Sequence, residues 1–232
     1  MIPLKDTIPS RSFPILNWTL IFANLVIFLF ESSLGPAQLD RLIFNYGLIP
    51  ARFDLGSAGS LLTLLTSMFL HGGWLHLLSN LWALYIFGDN VEDRMGSGRY
   101  LIFYLVTGIL AGLTQIYFNP NQNVPGVGAS GAIAGVLAAY LILFPTSRVI
   151  TLLPFFFFFS FVEIPAVLYL GIWFITQFYS GLFSLGSAAS AGGIAYWAHI
   201  GGFVSGLVLV LIFARRPPSH YRTYYPDEFH PW

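Results

Sequence analysis

The chain has 232 residues, of which 56% are hydrophobic, 18% aromatic and only 9% charged, and its formal net charge is zero. Soluble domains carry about 25% charged residues, so this composition excludes a water-soluble globule and a charge-rich disordered chain, and zero net charge leaves no electrostatic footprint for a nucleic-acid partner. The absence of cysteine excludes disulfides, thiolate catalysis and cysteine-based metal sites.

A polytopic membrane protein remains. At about 20 residues per span, this length holds about six helices with short connections. Residues 1–14 carry Lys5, Asp6, Arg11 and three prolines, and read as a short cytoplasmic tail without the apolar stretch of a signal peptide. The first apolar run is Ile15–Glu31. In the loop that follows, Leu39–Phe53 mixes apolar and charged residues as interfacial helices do. The second span is placed at Phe69–Gly88, and a charged turn, Asp89–Arg99, separates it from the third, Tyr100–Phe118. A polar, uncharged loop leads to the fourth, Ala129–Phe144. The apolar stretch Val149–Phe183 is too long for one span and too short for two with a turn. Pro154 and the Glu163-Ile164-Pro165 break divide it into an interfacial segment, 149–162, and a fifth span at about 164–183. The sixth, Ala191–Ala214, is stopped by Arg215, Arg216, Pro217 and Pro218. The membrane domain is thus expected over 15–214, with 215–232 as a second cytoplasmic tail.

Basic residues set the orientation. With the N-terminus inside, the inner segments hold Lys5, Arg11, Arg94, Arg99, Arg148, Arg215, Arg216 and Arg222, and the outer segments hold only Arg41 and Arg52. Both termini are expected to be cytoplasmic. The apolar runs do not alternate, which excludes a β-barrel. The expected fold is an all-α, six-helix membrane bundle without a second domain.

Polar side chains are costly in hydrocarbon, so those inside the spans are functional candidates. They are His76 and Asn80 in the second span, Ser130 at the start of the fourth and His199 in the sixth. Asn17, Asn24, Gln115 and Gln177 read instead as interhelical hydrogen-bonding or interfacial groups. Counted from Phe144 and Phe213, Ser130 and His199 both sit ~21 Å above the inner boundary. Counted from Gly88, His76 sits ~18 Å up, with Asn80 on the same face one turn deeper. Ser, His and His therefore share one level. The fourth span is only ~24 Å long, so its approach must be a non-helical loop below the outer surface. Such backbone is tolerated only where protein buries it or where it lines a water-filled cavity. Gly131-x-x-x-Gly135 follows the serine and Gly202-x-x-x-Gly206 follows the histidine. Small residues at this spacing let helix backbones approach closely.

A serine hydroxyl is a weak nucleophile until a base takes its proton. His199 is the candidate base, in a Ser–His dyad with no carboxylate at its level. The oxyanion formed on attack needs fixed donors. The backbone N–H of Ser130 at a helix N-terminus, the Asn80 amide and a His76 ring nitrogen are available types. The pattern suits acyl transfer.

Three segments carry a resemblance: HGGWLHLLSN (His71–Asn80), GASGAIAG (Gly128–Gly135) and AHIGGFVSG (Ala198–Gly206). In this order and in these spans, the chain resembles a rhomboid intramembrane serine protease of the bacterial six-helix type. The resemblance implies Ser130 as nucleophile, His199 as general base and acid, and His76 and Asn80 as oxyanion donors beside the Ser130 N–H. It implies supporting roles for His71, Gly128, Gly131 and Gly202. It implies no metal and no organic cofactor, the lipid bilayer as the medium, and transmembrane segments of other proteins, cut near the outer face, as substrates. Small size suggests a prokaryotic plasma membrane. Two positions depart from the family pattern: Leu62-Thr63 stand where many members have Trp-Arg, and Ala134 where many have the tyrosine that supports the histidine ring. The first loop and His199 should therefore be held by other groups. A catalytically inactive, client-binding relative is the main rival reading. A histidine-based metal protein lacks H-E-x-x-H and an intramembrane carboxylate, and a channel lacks a filter-like loop.

Overall fold

The computed structural model describes residues 2–155, 158–186 and 194–215. Residues 187–193 and 216–232, with Arg216 and Arg222, lie outside the described residues.

Most of the long apolar runs become helices. Helix α1 is Ile15–Ser33, α6 is Ser97–Phe118, α8 is Ala166–Gly186 and α9 is Tyr196–Phe213. These four are long and apolar enough to cross a membrane. A fifth candidate is a bent helix pair. Helix α3 (Ala58–Thr66) and a 3-10 turn meet α4 (Trp74–Ala83) at a bend of 82°. Helix α4 then continues through a π turn, Leu84–Gly88, into α5 (Asp89–Met95). The segment expected as a charged turn is therefore helical to Met95, and the second span is longer than its apolar run. Helix α7 (Ser130–Leu143) is short, as its apolar run required. It lies innermost, nearly all of it buried, and packs on α6, α9 and the π turn.

Asn17 and Gln115 bond to other segments of the bundle, whereas Asn24 donates within α1 to the Leu20 carbonyl (2.7 Å). Asn17 donates through Nδ2 to the Leu84 carbonyl in the π turn (2.9 Å) and accepts from the Tyr100 hydroxyl (2.8 Å). Its backbone N–H donates to Glu92 (2.8 Å). Gln115 donates to Gln122 (2.8 Å) and accepts from the Ala198 N–H (3.2 Å). Both residues do the interhelical work expected of them.

Two segments differ from the sequence reading. Residues 148–165 form strands β2 (Arg148–Phe155) and β3 (Phe158–Pro165), and Ile2–Asp6 forms β1, giving an antiparallel sheet of order β1-β2-β3. The stretch 149–162, read from the sequence as an interfacial segment, lies in two antiparallel strands, and the first residues of the expected tail are a strand. The reason is composition. Val149, Ile150, Thr151, Val162 and Ile164 are β-branched, and Phe159 and Phe161 are aromatic, residue types that favour a pleated surface. Pro154 and Pro165 also disfavour a helix. The fold is thus a helical membrane bundle with one small sheet.

That sheet gathers charge at one end of the bundle. The Trp82 indole donates to the Pro3 carbonyl (2.6 Å). Asp6 accepts from Asn90 (2.7 Å) and the Tyr140 hydroxyl (2.5 Å). Burial pushes the Asp6 carboxyl up from 3.8 to about 6, against the opposing effect of the Tyr140 hydrogen bond. Arg11 N–H donates to Asp93 (2.5 Å), Thr7 N–H donates to the Arg148 carbonyl (3.0 Å), and Arg215 N–H donates to the Arg94 carbonyl (2.8 Å).

The opposite face carries the first loop. Helix α2 (Pro36–Tyr46) buries none of its side chains, in keeping with an interfacial helix. Leu48 and Gly126 exchange backbone hydrogen bonds (2.9 and 2.7 Å), and Ala51 N–H donates to the Gln122 carbonyl (3.0 Å). The Arg52 guanidinium stacks 4.1 Å over the Phe44 ring. The Leu48–Gly126 and Ala51–Gln122 bonds fasten the first loop to the segment leading into α7.

Candidate active site

Helix α7 begins at Ser130. Ala129 supplies no side-chain cap, and the first helical bond runs from Ile133 N–H to the Ala129 carbonyl (3.0 Å). The N–H groups of the first turn, that of Ser130 included, have no partner within the helix. The approach to it is fixed at Gly128, whose N–H donates to the Ser67 carbonyl (2.8 Å) and whose φ of +128° suits only glycine. A Cβ there would also stand 2.6 Å from the His76 ring.

Close packing of α7 on α9 brings the histidine to the serine. A Cβ at Gly202 would collide with the Gly131 carbonyl, and one at Gly206 would come within 2.7 Å of the Gly135 backbone. With the backbones in contact, His199 Nε2 lies 2.8 Å from Ser130 Oγ. This is hydrogen-bond geometry for a serine O–H donating to an imidazole nitrogen.

Helix α4 supplies the remaining candidates. The ring of His76 lies against Gly128. The Asn80 side chain is buried, and its Nδ2 has no hydrogen-bond partner, although a Cβ on Gly128 would lie only 3.7 Å from it. A buried amide donor without an acceptor is costly, and this one faces the peptide preceding the serine turn. His71 makes its contacts beside these groups: its N–H donates to Glu31 (3.1 Å), its Nδ1 donates to the Phe69 carbonyl (3.3 Å), and its ring meets the His76 ring edge-on at 5.2 Å. A narrow cavity lined in part by Ser67, Gln115, Gly128, Ser130 and Gly131 adjoins the serine. Among the described residues, no cluster of three or more His, Asp or Glu side chains suits a metal ion.

Sequence reasoning missed one member of this site. Gln177, on α8, places Oε1 2.7 Å from His199 Nδ1. One turn earlier, the Trp173 ring lies 5.9 Å from the imidazole. Gln177 looked like any interhelical amide because its partner is distant in sequence. The available signal was the open question of what holds His199 where Ala134 cannot.

The arrangement can activate a hydroxyl and receive an oxyanion. Comparison with known proteins agrees with its motifs. A model of the Rhomboid domain matches residues 58–216. Rhomboid protease GluP of Bacillus subtilis (strain 168) is 37% identical over 124 residues, covering 53% of this chain and 23% of its own. Rhomboid-like protein 11, chloroplastic, of Arabidopsis thaliana is 35% identical over 119 residues, covering 51% and 39%. Rhomboid protease AarA of Providencia stuartii is 29% identical over 144 residues, covering 55% and 50%. The chain thus spans half or less of the length of these relatives. The matched region runs from α3 through α9 and contains Ser130, His199, His76 and Asn80, so the chain, a multi-pass membrane protein, belongs to the rhomboid family.

Proposed function

We propose that this chain is an intramembrane serine endopeptidase that cuts transmembrane segments of other proteins near the outer face of the bilayer. The 2.8 Å pairing of Ser130 Oγ with His199 Nε2 carries the reading. Ser130 Oγ attacks the scissile carbonyl while His199 takes its proton. The resulting oxyanion is held by the Ser130 N–H, Asn80 Nδ2 and the His76 ring. His199 then returns the proton to the leaving amine, and the acyl-serine is hydrolysed by water activated by the same histidine. The orphaned Asn80 donor favours this role, since the oxyanion supplies the acceptor it lacks.

The bundle is read with six crossings: α1, the α3–α5 unit, α6, α7, α8 and α9, both ends of the chain facing the cytoplasm. The meeting of Lys5, Arg11, Arg94, Arg148 and Arg215 segments at one end supports this orientation. Its setting is a prokaryotic plasma membrane.

The test uses the full chain in lipid vesicles with a transmembrane substrate. Cutting should vanish in Ser130→Ala and His199→Ala, withstand chelators, and be blocked by a fluorophosphonate that labels Ser130. Cutting that persists in Ser130→Ala, or that chelators abolish, overturns the reading.

A further inference from the structure

We propose that Gln177 is the positioning residue for His199, forming with Ser130 a Ser–His–Gln relay; this rests on the serine-protease reading above. An isolated imidazole has two neutral tautomers and can turn about its side-chain bonds. Only the ring with its proton on Nδ1 and its lone pair on Nε2 can accept from a serine hydroxyl through Nε2. Gln177 Oε1, 2.7 Å from Nδ1, accepts and cannot donate, so it selects that tautomer. The same contact fixes the ring plane so that Nε2 meets Ser130 Oγ at 2.8 Å. The hydrogen-bond partners described for the His199 ring are these two groups.

The choice of an amide has a physical reason. A carboxylate would do the same work but would bring a charge into an apolar bundle, where an ionised group is expensive unless paired. The amide orients the ring through its dipole alone. Trp173 lies one turn away on the same face of α8, with its ring 5.9 Å from the imidazole. Helix α8 therefore presents both an acceptor and a wall to His199. Since α8 is the least buried of the four long apolar helices, the orientation of the base depends on the seating of the most exposed span.

The experiment compares Gln177→Met, which keeps length and loses the acceptor, with Gln177→Glu, which restores one. Each is reconstituted as the full chain. Two quantities are read: kcat and KM on a transmembrane substrate, and the rate at which a fluorophosphonate labels Ser130, which requires no helix to pass α8. Gln177→Met should lower kcat ~100-fold, the scale of a misplaced catalytic group, with KM within about twofold. Labelling should slow by a similar factor while the melting temperature holds. Gln177→Asn, which falls one methylene short of the ring, should lose as much, and Gln177→Glu should recover most of both rates. Unchanged kcat and labelling in folded Gln177→Met or Gln177→Asn overturns the proposal. So does a Gln177→Glu variant no better than Gln177→Met, or a loss confined to KM. Failure of the underlying reading is seen separately, as wild-type cutting that survives Ser130→Ala.

Discussion

Gly202 on α9 lies against the carbonyl oxygen of Gly131 on α7, with no room for a methyl group between them. This contact sets how near the α9 backbone, and with it His199, comes to Ser130 on α7. Gly202→Val should force the helices apart. Overpacking typically costs ~1–3 kcal/mol, and a ~1 Å shift of the base can cost ~100-fold in rate. A Gly202→Val variant with wild-type turnover and melting temperature would contradict the packing.

Asn80 should matter to turnover more than to folding. Removing one oxyanion donor typically costs ~100–1,000-fold in kcat. Asn80→Ala also deletes a buried amide whose Nδ2 has no partner, so stability should hold or rise. Ser130 should still be labelled by a fluorophosphonate, since its proton acceptor is untouched. Kinetics and a thermal melt on one preparation check both statements, and unchanged kcat removes Asn80 from the site.

A substrate embedded in lipid must reach Ser130 sideways and unwind locally, because its peptide groups stay hydrogen-bonded while in hydrocarbon. Helix α8 packs on α7 and α9 and leaves Ile175, Phe178, Tyr179 and Phe183 exposed. It is the expected gate. Phe178→Ala should preserve or raise cutting of a transmembrane substrate, within about tenfold, and leave fluorophosphonate labelling unchanged. Trp173→Ala should behave differently: its ring also faces His199 and Phe203, so labelling should slow. If Phe178→Ala alters both readouts equally, Phe178 belongs to the chemistry and the gate lies elsewhere.

Asp6 links stability to pH. Its carboxyl is raised from 3.8 to about 6 by burial, against the Tyr140 hydrogen bond, so the fold binds that proton more tightly than the unfolded chain does. Its contribution is therefore most favourable below about pH 4, weakens as pH rises toward about 6 and stays low above that. Asp6→Asn removes the charge and keeps an acceptor for Tyr140 and Asn90. It should raise the melting temperature at pH 7.5 by ~2–4 °C, the equivalent of ~1 kcal/mol for a chain of this size, and make no difference at pH 4. A lower melting temperature at pH 7.5 would show that the ionised form is the stabilising one.

The length of the apolar runs located the long helices to within a few residues, because the bilayer imposes a length that sequence must meet. Polar residues in those runs singled out Ser130, His199, His76 and Asn80, because hydrocarbon penalises any that do no work. The short run after Ala129 announced that the chain reaches Ser130 as a loop. The hairpin 148–165 was less legible: a continuously apolar strand and a short apolar helix share one pattern, and only the β-branched and aromatic content distinguishes them. Sheet pairing then depended on Ile2–Asp6, more than a hundred residues away. Gln177 shows the other limit. Its identity was visible, but its role required α8 to lie beside α9 with one face turned to His199. Which faces meet is decided by the packing of the whole bundle, where Gly131 and Gly202 let α7 and α9 touch and the opposite side of His199 is left for α8 to fill.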